Sequence, residues 1–464
     1  MGLSLNVNKC ETLSETGAQA LLSPFDNFKR VVADKGVLLG SPLSSKEAMD
    51  ESLEARVHGL EIAASRLRLL HAHDALLILK NTMSLPSLLH ILRSAPCSGH
   101  PALQAFDDNL RACLAQVLNV SLDDFQWCQA SLPVREGGLG IRSAVQLAPS
   151  AFLASAAASA PLVSLIIPAS CSGVGDMDRA SSVSDWATRS GADVNSVLLP
   201  YSQRSWDSLV VSYSKEVLMS RLSDDLSQAR LRAVSSQHSG DWLHALPLTA
   251  AGLRLSDEEI RIAAGLRLGS MLCAPHDCHC GAQVNALGHH GLSCKSSAGR
   301  QMRHRLLNDI IWRSLGKAGV ATIREPQGLI PGSALRPDGI TLIPWARGRR
   351  VAWDATTPDT LAQSHLASTS VSAGAAAVSA SRLKSNKYVD LTQTHIFVPV
   401  AVETLGAWDP EGLNWITEIG RKLTEVTGDS RETFFLFQRL SIAVQKGNAA
   451  SVLGTLPKQM EGDD

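Results

Sequence analysis

The sequence has 464 residues, of which 45% are hydrophobic and 19% are charged, and its formal net charge is −1. This length and hydrophobic content can bury a sizeable core and predict two to four domains. The charge balance argues against a uniformly basic nucleic-acid-binding protein, so any contact with nucleic acid has to be local. The polar N-terminus lacks the apolar core of a signal peptide, and the few, mostly isolated cysteines favour a reducing compartment. We therefore expect a nuclear or cytoplasmic protein that is not secreted.

Two short sequences stand out in residues 1–45. Residues 2–11 fit a strand with a turn at Asn8, followed by Lys9, and residues 38–43 read Leu-Leu-Gly-Ser-Pro-Leu, which fits a hairpin.

Residues 46–150 are predicted to be mainly helical. Ser44 or Ser45 can cap the first helix, and leucines then recur at helical spacing. The block ends with Leu132-Pro133 and the glycine-rich residues 137–141, Gly-Gly-Leu-Gly-Ile.

Acidic pairs in this block do not predict a polymerase site. Phe106-Asp107-Asp108 loosely resembles an aromatic-x-Asp-Asp box, but it lies within an amphipathic helical pattern at residues 101–118. Such a box requires a strand-turn-strand hairpin, so we interpret both acids as solvated helix residues. Asp123-Asp124 fits a helix N-terminus, where acids suit the helix dipole.

Residues 151–270 are predicted to form a helical linker region. The most apolar run, at 151–167, is rich in Ala and Ser and contains Pro161, so we do not expect a membrane helix. Residues 169–185 are rich in Ser, Gly and Asp and read as a linker. Helices are expected around 206–232 and 257–266.

Residues 271–298 carry the spacing of a zinc knuckle. The predicted ligands are Cys278, Cys280, His289 and Cys294. Thiolates with an imidazole select zinc, and three cysteines with one histidine form the closed shell of a structural site. Gly281 and Gly288 stand beside the ligands, where a tight loop requires unusual backbone angles. Unliganded cysteines of a reduced protein are the alternative; other possible ligands are His290, His276, His279 and Cys273.

A helix is predicted from Gly299 to Lys317, with an apolar face made by Met302, Leu306, Ile310 and Ile311. Its first turns carry three arginines suited to local contact with nucleic acid, namely Arg300, Arg303 and Arg305. Arg336 is a further candidate for such a contact. A strand is expected next, at 320–324.

Two acids fall on a predicted hairpin. Asp338 opens a strand at 340–344, and Asp354 lies within a strand at 350–357, with a Gly-containing turn between them. Pairing across the turn can bring the carboxylates together, and paired carboxylates bind Mg²⁺, which can activate water against a phosphodiester. Either acid alone is better explained as a turn or surface residue. Together they favour a metal site.

The rest of the chain continues the alternation of helices and strands. An Ala/Ser-rich helix is predicted at 360–387 and a strand at 394–403, which completes the order helix, three strands, helix, strand. Two amphipathic helices, at 413–423 and 432–445, are expected to pack over this sheet. The tail at 461–464 is expected to be disordered.

This order and its motifs resemble the restriction-like endonuclease domain of non-LTR retrotransposons, which is a member of the PD-(D/E)xK nuclease superfamily. Such retrotransposons carry a Cys-Cys-His-Cys knuckle just ahead of that domain. The resemblance implies that Asp338 and Asp354 are the catalytic acids that hold Mg²⁺. It also implies that an acid on the preceding element can assist, and Glu325 is the nearest candidate.

The sequence departs from the superfamily at one position. The lysine expected two residues after the second acid is Thr356 here. In retrotransposon enzymes that lysine is displaced onto the following helix, where Lys384 and Lys387 stand. A lysine there would stabilise the attacking water or the phosphate; the alternative is a solvated helix end whose lysines suit the helix dipole.

The same resemblance extends to the rest of the chain. Residues 2–11 look like the end of a reverse-transcriptase palm, with Lys9 as the lysine near the incoming nucleotide, and residues 38–43 resemble its primer grip. The block at 46–150 resembles a thumb. Because the palm's catalytic carboxylates belong upstream of these residues in the family, the resemblance implies a truncated retroelement protein without polymerase activity.

The predicted fold class is therefore α+β multidomain, with a mainly helical N-terminal half. The domains expected are 1–45 (palm remnant), 46–150 (thumb-like), 151–270 (helical linker), 271–298 (zinc knuckle) and 299–464 (an α/β restriction-endonuclease-like core). The expected function is metal-dependent DNA nicking, with structural zinc, catalytic magnesium, target DNA and element RNA as ligands, and no membrane. The alternatives are an inactive nucleic-acid-binding remnant, which Thr356 favours, and a structural zinc protein.

Overall fold

The structure is a computed structural model that describes residues 6–14, 25–44, 46–166, 176–192, 202–330, 332 and 334–456. Within these residues the chain is mixed α+β and mostly helical, with small sheets, in agreement with the predicted class. The predictions that fall wholly or partly outside the described residues include the strand from residue 2, the Ser45 cap, the linker at 169–175 and the tail at 461–464.

Helices account for most of the regular structure. The α-helices are α1 Glu47–Leu67, α2 Ala72–Ile78, α3 Leu89–Ser94, α4 Pro101–Leu118, α5 Asp124–Ala130, α6 Ala144–Ile166, α7 Asp176–Ser190, α8 Gln203–Ser220, α9 Asp225–Val234, α10 Asp257–Leu268, α11 His290–Ser293, α12 Ala298–Lys317, α13 Gln363–Thr369, α14 Ala375–Lys387, α15 Pro410–Thr427 and α16 Glu432–Leu453. The strands are β1 Glu11–Ser14, β2 Lys29–Val32, β3 Val37–Leu38, β4 Ser41–Pro42, β5 His276–Asp277, β6 Gln283–Val284, β7 Thr322–Arg324, β8 Gly339–Thr341, β9 Val351–Thr356 and β10 Ile396–Ala401.

The chain divides into two compact units. The first contains residues 1–69, 78–114 and 141–216, and the second contains residues 70–77, 115–140 and 217–464. The predicted domain borders at 45, 150, 270 and 298 do not coincide with this division. Helices α9 and α10, for example, belong to the predicted linker region but pack within the second unit, against α13 and α16 respectively.

The first unit combines small sheets with helices. Strands β3 and β4 pair antiparallel across a turn in which Leu39 and Gly40 both have positive φ, so the predicted hairpin at 38–43 is present. Helix α7 occupies the part of the predicted linker after residue 175, so that part is not a loop. Trp186 of α7 is fully buried and packs edge to face on Trp206 of α8, at 4.7 Å between ring centroids. The burial of these rings stabilises the packing of α7 on α8.

The prediction that Asp107 is solvated is wrong. Its side chain is buried and accepts hydrogen bonds from the Ser143 hydroxyl (2.5 Å) and from the amides of Ala144 (2.7 Å) and Val145 (3.2 Å). Burial raises the pKa of this carboxyl to about 6, although these bonds oppose the shift. Asp107 therefore satisfies the amides at the start of α6, a role that helical periodicity within α4 alone cannot reveal.

Two stretches are long and apolar enough to cross a membrane on length and composition, Ala72–Ser94 and Ala144–Ile166. Of their most apolar windows, 44% and 28% are buried inside the structure. A core helix of a soluble protein passes the same test, so these helices are weak evidence, and the expected absence of a membrane helix stays a prediction.

The second unit is built on a four-stranded sheet in the order β10-β9-β8-β7. Strands β10 and β9 are parallel, while β9, β8 and β7 are antiparallel neighbours. The predicted hairpin is confirmed, with a first strand shorter than expected. Strands β7, β9 and β10 lie within the spans in which the sequence predicts a strand, and β8 overlaps the predicted span at residues 340–341.

Helices cover both faces of the sheet, because side chains alternate between faces along each strand. On β9, Val351, Trp353 and Ala355 point into the main core, which α12, α15 and α16 complete. Ala352 points the other way, into a smaller cluster with Tyr388. The expected packing of two C-terminal helices over the sheet is therefore confirmed.

The single helix predicted at 360–387 is two helices, α13 and α14. The second begins at Ala375, where the buried carboxylate of Glu403 accepts hydrogen bonds from the amides of Ala376 (2.9 Å) and Ala377 (3.3 Å). Burial raises the pKa of Glu403 to about 7, against the effect of these bonds. Glu403 lies beyond β10, so a carboxylate distant in sequence sets where α14 starts.

Candidate active site and metal centre

Asp338 and Asp354 meet on neighbouring strands. Gly339 of β8 is opposite Trp353 of β9, so one further step of the antiparallel register sets Asp338 opposite Asp354. Asp354 is 3% exposed, and it lies on the face of β9 that carries Ala352 rather than the face that carries Trp353. The sheet therefore presents both carboxylates at one edge of the β8–β9 pair, as the sequence predicts.

Asp338 is held by three donors. Its Oδ2 accepts hydrogen bonds from Asn308 Nδ2 (2.8 Å) and the Ala355 amide (2.6 Å), and His304 Nε2 lies 3.0 Å away. Burial acts to raise the pKa of Asp338, but these donors, led by His304, hold it below its usual value. Asp338 is thus an ionised carboxylate in a fixed orientation.

The second carboxylate pairs with a lysine. Lys384 of α14 places Nζ 2.5 Å from Asp354 Oδ1. Tyr388, the residue that follows α14, is buried and donates to the Arg336 carbonyl at 2.6 Å. Burial and the neighbouring Asp354 raise the pKa of Tyr388. Lys387 instead sits over the Tyr388 ring, at 4.8 Å from its centroid. Of the two candidate lysines, Lys384 is the one beside an acid.

Three side chains could hold a metal ion here. The ligand atoms of His304, Asp338 and Asp354 all lie within 4.8 Å of one another. Two carboxylates are suitable oxygen ligands for a hard divalent ion, so the donor chemistry fits one. Glu325 is not in this group: its side chain is exposed, and its backbone amide donates to the Asp338 carbonyl at 3.0 Å.

Cavities open on both sides of His304. One, of about 530 Å³, is lined by Asp338, Glu325, Arg305 and Arg324, and the other, of about 410 Å³, by Lys384, Thr356, Arg300 and Lys295. The first cavity therefore contains one of the acids, Asp338, and the second contains Lys384, the partner of Asp354. Both are lined by exposed cationic side chains, including two of the three predicted arginines of α12.

The third arginine is not available to a nucleic acid. Arg303 is 1% exposed, and its Nη1 donates to Gly447 O, Asn448 Oδ1 and Ser451 Oγ of α16, while Nη2 donates to Leu292 O of the knuckle. The prediction that Arg303 contacts nucleic acid is therefore wrong. Its role is to join the knuckle, α12 and α16 inside the second unit.

The remaining predicted nucleic-acid contacts are exposed. Arg336 lies at the surface two residues before Asp338. Lys9 is exposed in a short 3-10 turn, Val7–Lys9, in the first unit. Their exposure is compatible with contact to a nucleic acid, so the role of both residues stays a prediction.

A second cluster matches the knuckle with one correction. Its members are Cys278, Cys280, His290 and Cys294, with ligand atoms all within 4.8 Å of one another. Cys278 Sγ and Cys294 Sγ are 3.8 Å apart, close to the separation of roughly 3.8 Å for two thiolates on a tetrahedral zinc ion with bonds of about 2.3 Å. The cluster could therefore bind a metal such as zinc.

His290 replaces the predicted His289. Nε2 of His290 is 3.2 Å from Cys280 Sγ. His289 is 9% exposed, its Nδ1 has no hydrogen-bond partner among the described residues, and burial lowers its pKa to about 4, with a smaller effect from Arg230. Consecutive residues entering a helix point about 100° apart, so only one imidazole can face the sulfurs. Gly281 and Gly288 have φ of 84° and 67°, as the tight loop predicts.

The possible substitute ligands lie outside this cluster. The Cys273 thiol contacts the Asn285 carbonyl at 3.4 Å, and His276 bonds to the Ala274 carbonyl and to Thr455. His279 is exposed. Within the described residues, the groups of possible metal ligands are the knuckle and the His304 site.

Gly339 connects the fold to the site. A Cβ added there would lie 2.1 Å from Cζ2 of Trp353, whose indole donates to Asn308 Oδ1 at 3.2 Å. Gly339→Ala is therefore expected to destabilise the protein by about 2 kcal/mol through overpacking. Urea unfolding measures the change. Gly316→Ala, where an added Cβ meets nothing within 4 Å, is the control and should be neutral or slightly stabilising; equal stability of the two variants would contradict the expectation.

Sequence reasoning missed His304 and Asn308. Both lie on α12, four residues apart, and so share a helix face that turns toward Asp338. Their spacing is visible in the sequence, but an isolated His and Asn on a helix carry no signal until the hairpin is placed beside them.

Comparison with protein-family models and with curated proteins finds no match for this chain.

Proposed function

We propose that the second unit is a divalent-metal-dependent nuclease that cleaves phosphodiester bonds in DNA. The observation that carries the proposal is the meeting of Asp338, Asp354 and Lys384: two acids on adjacent strands and a lysine from the following helix. The resemblance of the motifs to retrotransposon endonucleases implies a displaced lysine on that helix. Lys384 Nζ lies 2.5 Å from Asp354 Oδ1.

The acids and the lysine have separate roles in this proposal. Asp338 and Asp354 would hold the ion, for which Mg²⁺ is the expectation from two carboxylates. A divalent ion bound there would lower the pKa of a water and offset the charge of the scissile phosphate. Lys384 lines the 410 Å³ cavity, where its ammonium can stabilise the attacking water or the developing negative charge. Thr356 lines the same cavity but carries no positive charge, so Lys384 would have this role.

The surrounding cations would position the DNA backbone. Arg300 and Lys295 line one cavity, and Arg305 and Arg324 line the other, so phosphates on either side of the acids have cationic partners. Contacts of this kind fix register without reading sequence. They also account for local binding by a protein whose net charge is −1.

The knuckle supports this arrangement without chemistry of its own. Four protein ligands leave no open position on zinc, as in structural sites. Leu292 of the knuckle accepts a hydrogen bond from Arg303, which anchors the start of α12. Zinc would therefore stabilise the helix that carries Arg300, His304 and Asn308.

A matched pair of lysine variants tests the proposal. The parent is expected to nick supercoiled plasmid in the presence of Mg²⁺, and Lys384→Met to reduce the rate by about 10²-fold, because a charge beside the reaction is removed. Lys387→Met, which changes an exposed lysine on the same helix, should stay within about threefold of the parent. Agarose electrophoresis of relaxed plasmid measures both.

Other results would reject the proposal. If the folded parent is silent with Mg²⁺ and Mn²⁺ but binds DNA with a steep dependence on salt, the protein is a nucleic-acid-binding remnant. If it neither cuts nor binds, a structural zinc protein is the better description. Equal nicking by Lys384→Met and the parent would remove Lys384 from the mechanism.

A further inference from the structure

His304 stands beside both carboxylates of the proposed nuclease site. Its Nε2 is 3.0 Å from Asp338 Oδ2, and its ring is 46% exposed at the junction of the two cavities. We propose that His304 is a third protein ligand of the catalytic ion and that its nitrogen shifts the preference of the site from Mg²⁺ toward first-row transition ions such as Mn²⁺. This inference rests on the proposed function, because it concerns the same pair of acids.

The separations suit a shared ion. In an octahedral shell with bonds of about 2.1 Å, adjacent ligand atoms are roughly 3.0 Å apart and opposite ones roughly 4.2 Å. The His304–Asp338 separation of 3.0 Å matches adjacent ligands. A bound ion would take the place of the proton that His304 Nε2 donates to Asp338 Oδ2 in its absence. The ligand atoms of Asp354 lie within 4.8 Å of those of His304 and Asp338. A small adjustment of the Asp354 side chain would bring this separation to the roughly 4.2 Å of opposite ligands.

The imidazole is also held where a ligand would be needed. Asn308, one turn along α12, donates to Asp338 Oδ2 and accepts from the indole of Trp353, so this helix face is fixed against the acids. Lys384 contacts Asp354. His304 lines both cavities, which leave room for water and a phosphate oxygen beside it.

A nitrogen ligand changes which ion the site prefers. Mg²⁺ takes oxygen ligands and keeps several waters, whereas imidazole suits first-row transition ions. Mn²⁺ accepts carboxylates as well, so a set of two carboxylates and one imidazole fits it. His304 thus distinguishes this site from one built of carboxylates alone.

Mn²⁺ provides a direct test, because its electron spin reports a bound nitrogen. Full-length protein freed of loosely bound ions is titrated with MnCl₂, and electron spin echo envelope modulation is recorded. The parent is expected to bind Mn²⁺ with ¹⁴N modulation. His304→Ala should lose that modulation and bind Mn²⁺ at least about tenfold more weakly, while Mg²⁺ binding, measured by competition, falls less.

The matched control is His58→Ala, which removes an exposed imidazole (side chain 73% exposed) in the first unit and should leave the modulation unchanged. No Mn²⁺ binding by the parent, bound Mn²⁺ without ¹⁴N modulation, or modulation that persists in His304→Ala would each overturn the inference. Nicking with Mg²⁺ in those cases would leave the nuclease proposal intact. Conversely, modulation that depends on His304 in a protein that does not nick would support the inference and reject the nuclease.

Discussion

Asp354→Asn is expected to abolish plasmid nicking while leaving DNA affinity within about twofold of the parent. Asn keeps the shape of the side chain and an oxygen that can accept from Lys384, so the buried β9 position stays filled. It removes the charge that would hold the ion. Since an ion contributes several kcal/mol to stabilising the transition state, the rate should fall by at least about 10³-fold.

Binding and cutting have to be measured on the same preparations. Fluorescence anisotropy with a labelled duplex, over a range of salt, gives the affinity, and nicking of supercoiled plasmid gives the rate. The control is Asp390→Asn, an exposed acid in the turn after α14, which should alter neither. Nicking by Asp354→Asn at the parental rate would show that the activity comes from another site or from a contaminant.

The pair of acids could be predicted because its signal is local. Asp338 and Asp354 are joined by a hairpin, and the pairing of its strands follows from two short strands joined by a Gly-containing turn. The same holds for the three cysteines of the knuckle, which lie within 17 residues. Short separations leave few ways for the chain to place these residues.

The rest depends on packing between distant segments. Arg303 looks like its neighbours Arg300 and Arg305 in the sequence, yet α16, about 145 residues later, provides the acceptors that bury it. Asp107 is likewise explained by the start of α6, 37 residues away at Ala144. Helical periodicity gives the face of a helix but not the partner on that face.

The choice between two adjacent histidines shows the same limit at short range. His289 and His290 satisfy the ligand spacing almost equally, so spacing alone cannot separate them. The difference arises from where α11 begins, because that sets which side chain faces Cys280 and which is buried. Sequence patterns place the ends of helices only to within one or two residues, which is too coarse to choose between these histidines.

His290→Ala is expected to release the metal of the knuckle and to unfold its surroundings. Loss of one of four ligands should weaken zinc binding by at least about 10²-fold, and the binding energy of structural zinc is folding energy. The effect should extend beyond the loop, because Leu292 is bonded to Arg303 and Gly291 packs against the backbone of Ser451. A colorimetric chelator measures the loss of zinc, and thermal unfolding measures the loss of stability.

His289→Ala is the matched control, since it removes a buried imidazole one residue away that faces no sulfur of the cluster. It should retain about one equivalent of zinc, with some loss of stability from the cavity it leaves. If instead His289→Ala loses zinc and His290→Ala keeps it, the original spacing is right and α11 begins one residue earlier in the metal-bound protein. Loss of zinc in both variants would mean that the two imidazoles act together, with His289 holding the turn that presents His290 to the three thiolates.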